Sequence, residues 1–303
     1  MKFIKTMLLL AMVLAIGITG IVACSSESKD VIENSEKNEN VTGEKNQSIA
    51  DKKEEIEIDK LIARTYGNED SDIVVVYSQG GPMPEVEDGT LEEIRDSNDK
   101  LKDAYFVQPH QIQTEEPATF MSEEIAFEDA INYDKKTVKN IADVVKYFKD
   151  KSKKVYVVGI SFGAFVTTDL ISEYGTEIAD GYAIMVGRLN IDDVFWKGFS
   201  QGKNGYYENG VTPVITDAES VAESNMFKLA AGLGHKRYMD LLKNHDLSKV
   251  AYAYGKVDEQ VGSLNEDEIK FLEDRGAKVF ANEGGHYAGA TDETKEMMEY
   301  ILK

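Results

Sequence analysis

Cysteine occurs once in the 303 residues, tryptophan once, proline five times and histidine four times. With a single cysteine the chain has no disulfide framework, no thiol catalyst in its folded part and no cysteine-based zinc site, so its core must hold by packing alone. Positive charge is also scarce: 34 Lys and Arg stand against 55 Asp and Glu, a formal net charge of −21. Binding a polyanionic backbone needs a basic footprint that displaces counterions, so nucleic acid is excluded as a partner. The acidic excess is spread along the chain and reads as solubility. No H-E-x-x-H, dinucleotide fingerprint or P-loop is present, so neither a metal nor an organic cofactor is implied.

What the chain does have begins with Lys2 and Lys5, followed by an almost uncharged apolar run over 7–23. A basic start, an apolar core and small residues before a cut describe an export signal. Ile21-Val22-Ala23-Cys24 resembles a bacterial lipobox. That resemblance implies that Cys24 is acylated and becomes the mature N-terminus of an exported, membrane-anchored envelope lipoprotein. Residues 24–57 follow as a tether: Ser, Glu, Asn and Lys dominate it, and too little apolar surface is available to offset chain entropy. The remainder, 58–303, is about 245 residues, the size of one large domain.

Within 58–303, apolar strand-like runs alternate with helical patterns. Strands are expected at 71–82, 104–110, 155–160, 181–187, 250–255 and 278–284, and helices at 89–103, 133–154, 162–175, 225–246, 265–276 and 291–303. Val138, Ile141, Val144, Val145 and Phe148 fall on one helical face. Asn265 and Thr291 stand where helix N-caps belong, and Gly175 where a helix ends. Near-continuous apolar strands alternating with helices predict an α/β fold: a mainly parallel sheet covered by helices on both faces. The stretch 188–249 is long for one crossover and carries Phe195, Trp196, Phe199, Tyr206 and Tyr207. It reads as a lid-like insertion, or as a small subdomain whose aromatic residues form its own core.

The chemistry-bearing residues lie at strand ends. Gly159-Ile160-Ser161-Phe162-Gly163 is a G-x-S-x-G nucleophile elbow with a strand entering and a helix leaving, the setting that motif requires. Ser161 is therefore the candidate nucleophile. Its base should follow a strand: His286 follows the last one, His110 is the alternative, and His235 and His245 read as solvated residues in a charged helical stretch. Asp258, just past the penultimate strand, is the carboxylate expected to orient the base, ahead of Glu259 and Asp246. An oxyanion hole needs two aimed N–H groups. Phe162, directly after the serine, supplies one.

From about 71 to 303 the chain resembles a serine α/β-hydrolase of the esterase and peptidase type. Gln79-Gly80-Gly81-Pro82 is similar to the His-Gly-Gly-Pro turn of that superfamily, with Gln79 in the place of histidine. By that match Gly81 is the second oxyanion donor, with Gly80 in reserve. The Gly-Gly-Pro turn also resembles the prolyl-aminopeptidase branch. The Asp-x-Arg-Gly turn of that branch has no counterpart here, where the stretch reads VQPHQIQT, so the resemblance favours a carboxylesterase. It implies attack by Ser161 on an ester, thioester or amide of a small-molecule, acyl or peptidyl substrate, through an acyl-enzyme. The rival expectation is a non-catalytic surface lipoprotein that keeps the fold for binding.

Overall fold

The computed structural model describes residues 57–87 and 89–303. The export signal at 1–23, the acylation site at Cys24 and nearly all of the 24–57 tether lie outside the described residues. Nine strands carry the frame: β1 (Ile62–Gly67), β2 (Ile73–Ser78), β3 (Tyr105–Pro109), β4 (Lys154–Ile160), β5 (Gly181–Met185), β6 (Asn204–Glu208), β7 (Thr212–Thr216), β8 (Val250–Gly255) and β9 (Lys278–Asn282). The helices are α1 (Thr90–Asp96), α2 (Ile112–Glu115), α3 (Pro117–Ser122), α4 (Phe127–Asp150), α5 (Phe162–Tyr174), α6 (Asp193–Ser200), α7 (Val221–Gly234), α8 (Tyr238–Leu241), α9 (Glu266–Asp274), α10 (His286–Thr291) and α11 (Thr294–Ile301).

Seven strands form one sheet in the order β1-β3-β2-β4-β5-β8-β9. All neighbours pair in parallel except the edge strand β1, which runs antiparallel to β3. The central strands β2, β4, β5 and β8 are nearly continuous apolar runs because both their faces are covered, while the edge strands β1 and β9 are partly exposed. Along β2, Val74 and Val76 join one core cluster while Val75 and Tyr77 join the other; along β4, Val155 and Val157 alternate with Tyr156 and Val158 in the same way. Helices α4, α5 and α7 cover the first face, and α1 and α11 the second. Each fully buried Val or Leu in these layers contributes about 1.5–3 kcal/mol. The α/β architecture expected from the strand and helix alternation is the one present.

Several boundaries differ from expectation, each for a local reason. Helix α4 begins at Phe127, not 133, because Glu128 and Asp129 favour its positive N-terminal end. The pattern over 225–246 is two helices: α7 runs from Val221 to Gly234, capped by Ser220, whose side chain accepts from Glu223 N. Tyr238 N then donates to Leu189 O, which ties α8 to the loop after β5. Asn265 caps α9 with a full capping box to Glu268. Thr291 is not an N-cap: it ends α10, which starts at His286, and α11 begins at Thr294.

The excursion between β5 and β8 holds α6, the β6–β7 hairpin, α7 and α8. Its aromatic residues form a small core: Phe195 stacks on Phe199 and Tyr207 at 4.4 and 4.3 Å, and Phe199 on Phe227 at 4.5 Å. Tyr206 alone of these is well exposed. His235 is half-buried against Phe127 and Trp196 rather than solvated. A buried Arg188 holds the start of the excursion, reaching Glu268 at 3.1 Å and Asp192 at 3.2 Å, and Asp192 in turn accepts from the Tyr207 hydroxyl.

Candidate active site

Parallel strands of one sheet deliver their C-terminal ends to a common edge, which is where ligands bind in α/β folds. Ser161 follows β4 there, Gln79-Gly80-Gly81 follow β2, Asp258 follows β8 and His286 follows β9.

The elbow around Ser161 is tight. Its backbone sits at φ 55°, ψ −116°, in the positive-φ region that a non-glycine residue rarely takes. Both flanking glycines are required by close approach. A Cβ on Gly159 would run into the Gly163 carbonyl and the Thr167 hydroxyl, and a Cβ on Gly163 into the Ser78 carbonyl. Ser161 N donates to Met185 O at 2.9 Å, which holds the turn from the neighbouring strand. The residue after that acceptor, Val186, is also at positive φ (50°), a strained state for a β-branched side chain. Such strain persists only where the surroundings impose it, and it gathers at functional sites.

Three side chains separated by as many as 125 residues meet in a line. The Ser161 hydroxyl lies 2.9 Å from His286 Nε2, and His286 Nδ1 lies 2.8 Å from Asp258 Oδ2. A carboxylate can only accept, so Nδ1 carries the proton and Nε2 presents its lone pair to the hydroxyl. Asp258 is 1 % exposed, and its other oxygen, Oδ1, accepts from Gln260 N at 2.9 Å and Val261 N at 3.0 Å. Both carboxylate oxygens are thus occupied, which holds the carboxylate in the position from which Oδ2 aims the His286 ring.

The alternatives fall elsewhere. His110 bonds Thr114 Oγ1 at 3.0 Å, and burial holds its pKa below the usual imidazole value. Glu259 accepts from the His286 main-chain N at 3.2 Å, so it holds the backbone beside the base and not the ring. Asp246 caps Ser248 N ahead of β8, at the opposite end of the strand from Asp258.

Phe162 is the first residue of α5, so its N–H has no acceptor within the helix, and the positive end of the helix points the same way. Gly80 packs 3.4 Å (measured to an added Cβ) from the Ser161 Cβ, and Gly81 turns with φ 51°. Gln79 is joined at this turn by three residues that sequence reading missed. Gln108, Gln111 and Gln113 are buried like Gln79, and the four bond to one another and to the loop. The only sequence signal of these three was an unusual density of glutamine around 108–113. Two hollows lie away from the triad: a small void lined by Ile171, Leu189 and Tyr252, and a surface groove beside Lys236 and Asp240.

No protein-family model matches the sequence, and no curated protein matches it. Solved structures do resemble the fold. A lipase-esterase related protein from Clostridium acetobutylicum ATCC 824 matches with TM-score 0.50 at 12 % identity, over 78 % of this chain and 98 % of that one. MGS-M2, an α/β-hydrolase enzyme from a Medee basin deep-sea metagenome library, matches with TM-score 0.50 at 11 % identity, over 79 % and 93 %. DcsB, solved in complex with its substrate analogue, matches with TM-score 0.50 at 13 % identity, over 79 % and 93 %. At such identities the likeness speaks for architecture, and with the strand order above it makes the fold of residues 57–303 that of an α/β-hydrolase.

Proposed function

We propose that this chain is a serine hydrolase that cleaves a carboxylic ester, thioester or amide through an acyl-enzyme. The observation that carries the reading is the continuous line Ser161 Oγ–His286 Nε2–Asp258 at 2.9 and 2.8 Å. In the forward step His286 Nε2 takes the hydroxyl proton as Ser161 Oγ bonds to the substrate carbonyl carbon. The imidazolium that forms is stabilised by the Asp258 carboxylate, which stays ionised. Negative charge gathers on the carbonyl oxygen, for which the Phe162 N–H and the Gly81 N–H are the donors in this reading. Collapse expels the leaving group, to which His286 returns the proton, and water repeats the sequence on the acyl-serine. Gly81 is taken over Gly80 as donor by its place in the Gly-Gly-Pro turn.

An ester is favoured over an aminoacyl amide because β3 runs on into Gln111 and α2, with no Asp-x-Arg-Gly turn at that edge. A fluorophosphonate probe and 4-nitrophenyl acetate test the reading together. The intact protein should take up label and turn over the ester, and Ser161→Ala should lose both, turnover by about 10⁶-fold. An intact protein that takes no label, or a Ser161→Ala variant that labels equally well, would overturn it.

A further inference from the structure

The loop after β2 carries the proposed oxyanion donor, yet it has no regular structure. Among the described residues, 80–87 form no helix and no strand, only a turn at 81–82 and bends. Backbone without a ladder or helix to hold it drifts unless side chains fix it. Here the Gln79 amide does so. Gln79 precedes the loop, and its side chain folds back to bond the far end. Nε2 donates to Glu85 O at 2.9 Å, and to Met83 O at 3.5 Å, while Oε1 accepts from Glu87 N at 2.9 Å. One side chain thus clasps an eight-residue loop from its two ends.

The clasp is itself backed from the sheet. Gln108 on β3 donates to Gln79 Oε1 at 2.5 Å, and Gln111 donates to the Gln79 carbonyl and to Ser78 Oγ, each at 3.1 Å. Gln113 donates to Gln111 Oε1 at 2.5 Å. The far end is pinned again at Glu87, whose carboxylate accepts from Tyr77 and Thr90 at 2.5 Å each, and whose carbonyl accepts from Arg64 at 3.1 Å.

An amide suits this task for a stated reason. It offers donors and an acceptor in one plane, whereas a glutamate could only accept and would bring a charge into a site that is 2 % exposed.

Resting on the hydrolase reading, we infer that Gln79 is a positioning residue for the oxyanion hole, with Gln108 as its support. It touches no substrate; it sets where the Gly81 N–H points. Oxyanion donors work within about 2.7–3.1 Å, and a shift near 1 Å is worth on the order of 10²-fold in rate. The lost interaction exists only in the tetrahedral state, so kcat should move and KM should not.

Gln79→Met, close in shape and without the amide, tests this with 4-nitrophenyl acetate as substrate. Turnover should fall about 30- to 100-fold with KM within about threefold. Affinity for 2,2,2-trifluoroacetophenone, whose serine adduct carries an oxyanion, should fall by the same factor as kcat/KM. The pH-rate inflection should stay at the wild-type pH, because His286 is untouched. Gln108→Met should act in the same direction by about 3- to 10-fold, and the double variant should lose less than the product of the two. If Gln79→Met does not fold, Gln108→Met decides by the same readouts. Turnover within twofold of wild type, or lost turnover with trifluoroacetophenone binding at wild-type strength, overturns the inference and leaves the hydrolase reading standing. A wild-type protein that neither turns over the ester nor takes phosphonate label overturns both.

Discussion

At the scale of the residue, each triad member is held by more than its partner in the triad. Ser161 is fixed by a strained turn with Met185 O on its N–H, and Asp258 by two main-chain N–H groups behind its carboxylate. His286, the base in the proposed mechanism, is the less restrained member, since its ring is aimed by Asp258 while its main chain hangs on Glu259. Replacing Asp258 by Asn would reverse the hydrogen bond to Nδ1 and favour the wrong tautomer with the geometry intact. On a proteolytic triad that change is worth about 10⁴-fold in kcat. Asp258→Asn should therefore turn over 4-nitrophenyl acetate about 10⁴-fold more slowly, at a KM near that of the wild type. His110→Ala, measured beside it, should keep wild-type turnover, because its partner is Thr114 and not the serine.

At the scale of the element, the β6–β7 hairpin is a strut for the acid loop. Tyr207 N donates to Glu259 O at 2.7 Å, and Ser263 N to Gly210 O at 2.8 Å. Gly210, at φ 72°, closes the hairpin against that loop, and an added Cβ would stand 2.9 Å from Asp258 N and from Val257 Cα. Only glycine fits both the backbone and the space. Gly210→Val should push the loop off its position and lower kcat about 10- to 100-fold through Asp258. In an Asp258→Asn background the same change should add little, because the two act on one step; full additivity of the losses would argue that the hairpin works elsewhere. The aromatic run over 195–207, expected as lid or as core, packs as core in Phe195, Phe199 and Tyr207. This core stiffens the excursion that carries the strut.

At the scale of the molecule, one group works against stability. Asp134 on α4 is buried with both carboxylate oxygens unpartnered, wedged against Gly232 of α7. Burial, then the nearby Asp169 carboxylate, hold its pKa well above the usual value, and Lys236 offsets them only in part. Lys236 is engaged by Asp169 at 2.6 Å. The unfolded chain releases the Asp134 proton near pH ~3.9 while the native state keeps it. Between that pH and the raised native value the folded state binds more protons, so stability falls as pH rises. Asp134→Asn, neutral at every pH, should raise Tm by about 3 °C or more at pH 8 and leave it unchanged at pH 3.5. Thermal melts followed by circular dichroism at both pH values check this; an equal shift at both would assign the gain to packing instead.

Much of this molecule follows from local chemistry. Alternating runs such as IVVVYS and VYVVGI, apolar on both faces, already demand a parallel sheet covered twice, and Gly159 and Gly163 demand a tight turn at Ser161. The placement of Ser161, Asp258 and His286 after strands of one parallel sheet was legible for the same reason: parallel strands send their C-terminal ends to one edge. Helix ends were less legible. Gly284-Gly285 hid the start of α10 at His286, and the contact of Tyr238 with Leu189 that splits 225–246 in two lies 49 residues away in sequence. What the tertiary structure alone decided is which distant polar groups pair. Gln79 with Gln108, Gly210 with Asp258 and Asp134 with Gly232 are contacts between segments that no periodicity links. Hydrogen bonds and close packing act over a few ångströms, so their partners are settled by which surfaces the fold brings together and not by any spacing along the chain.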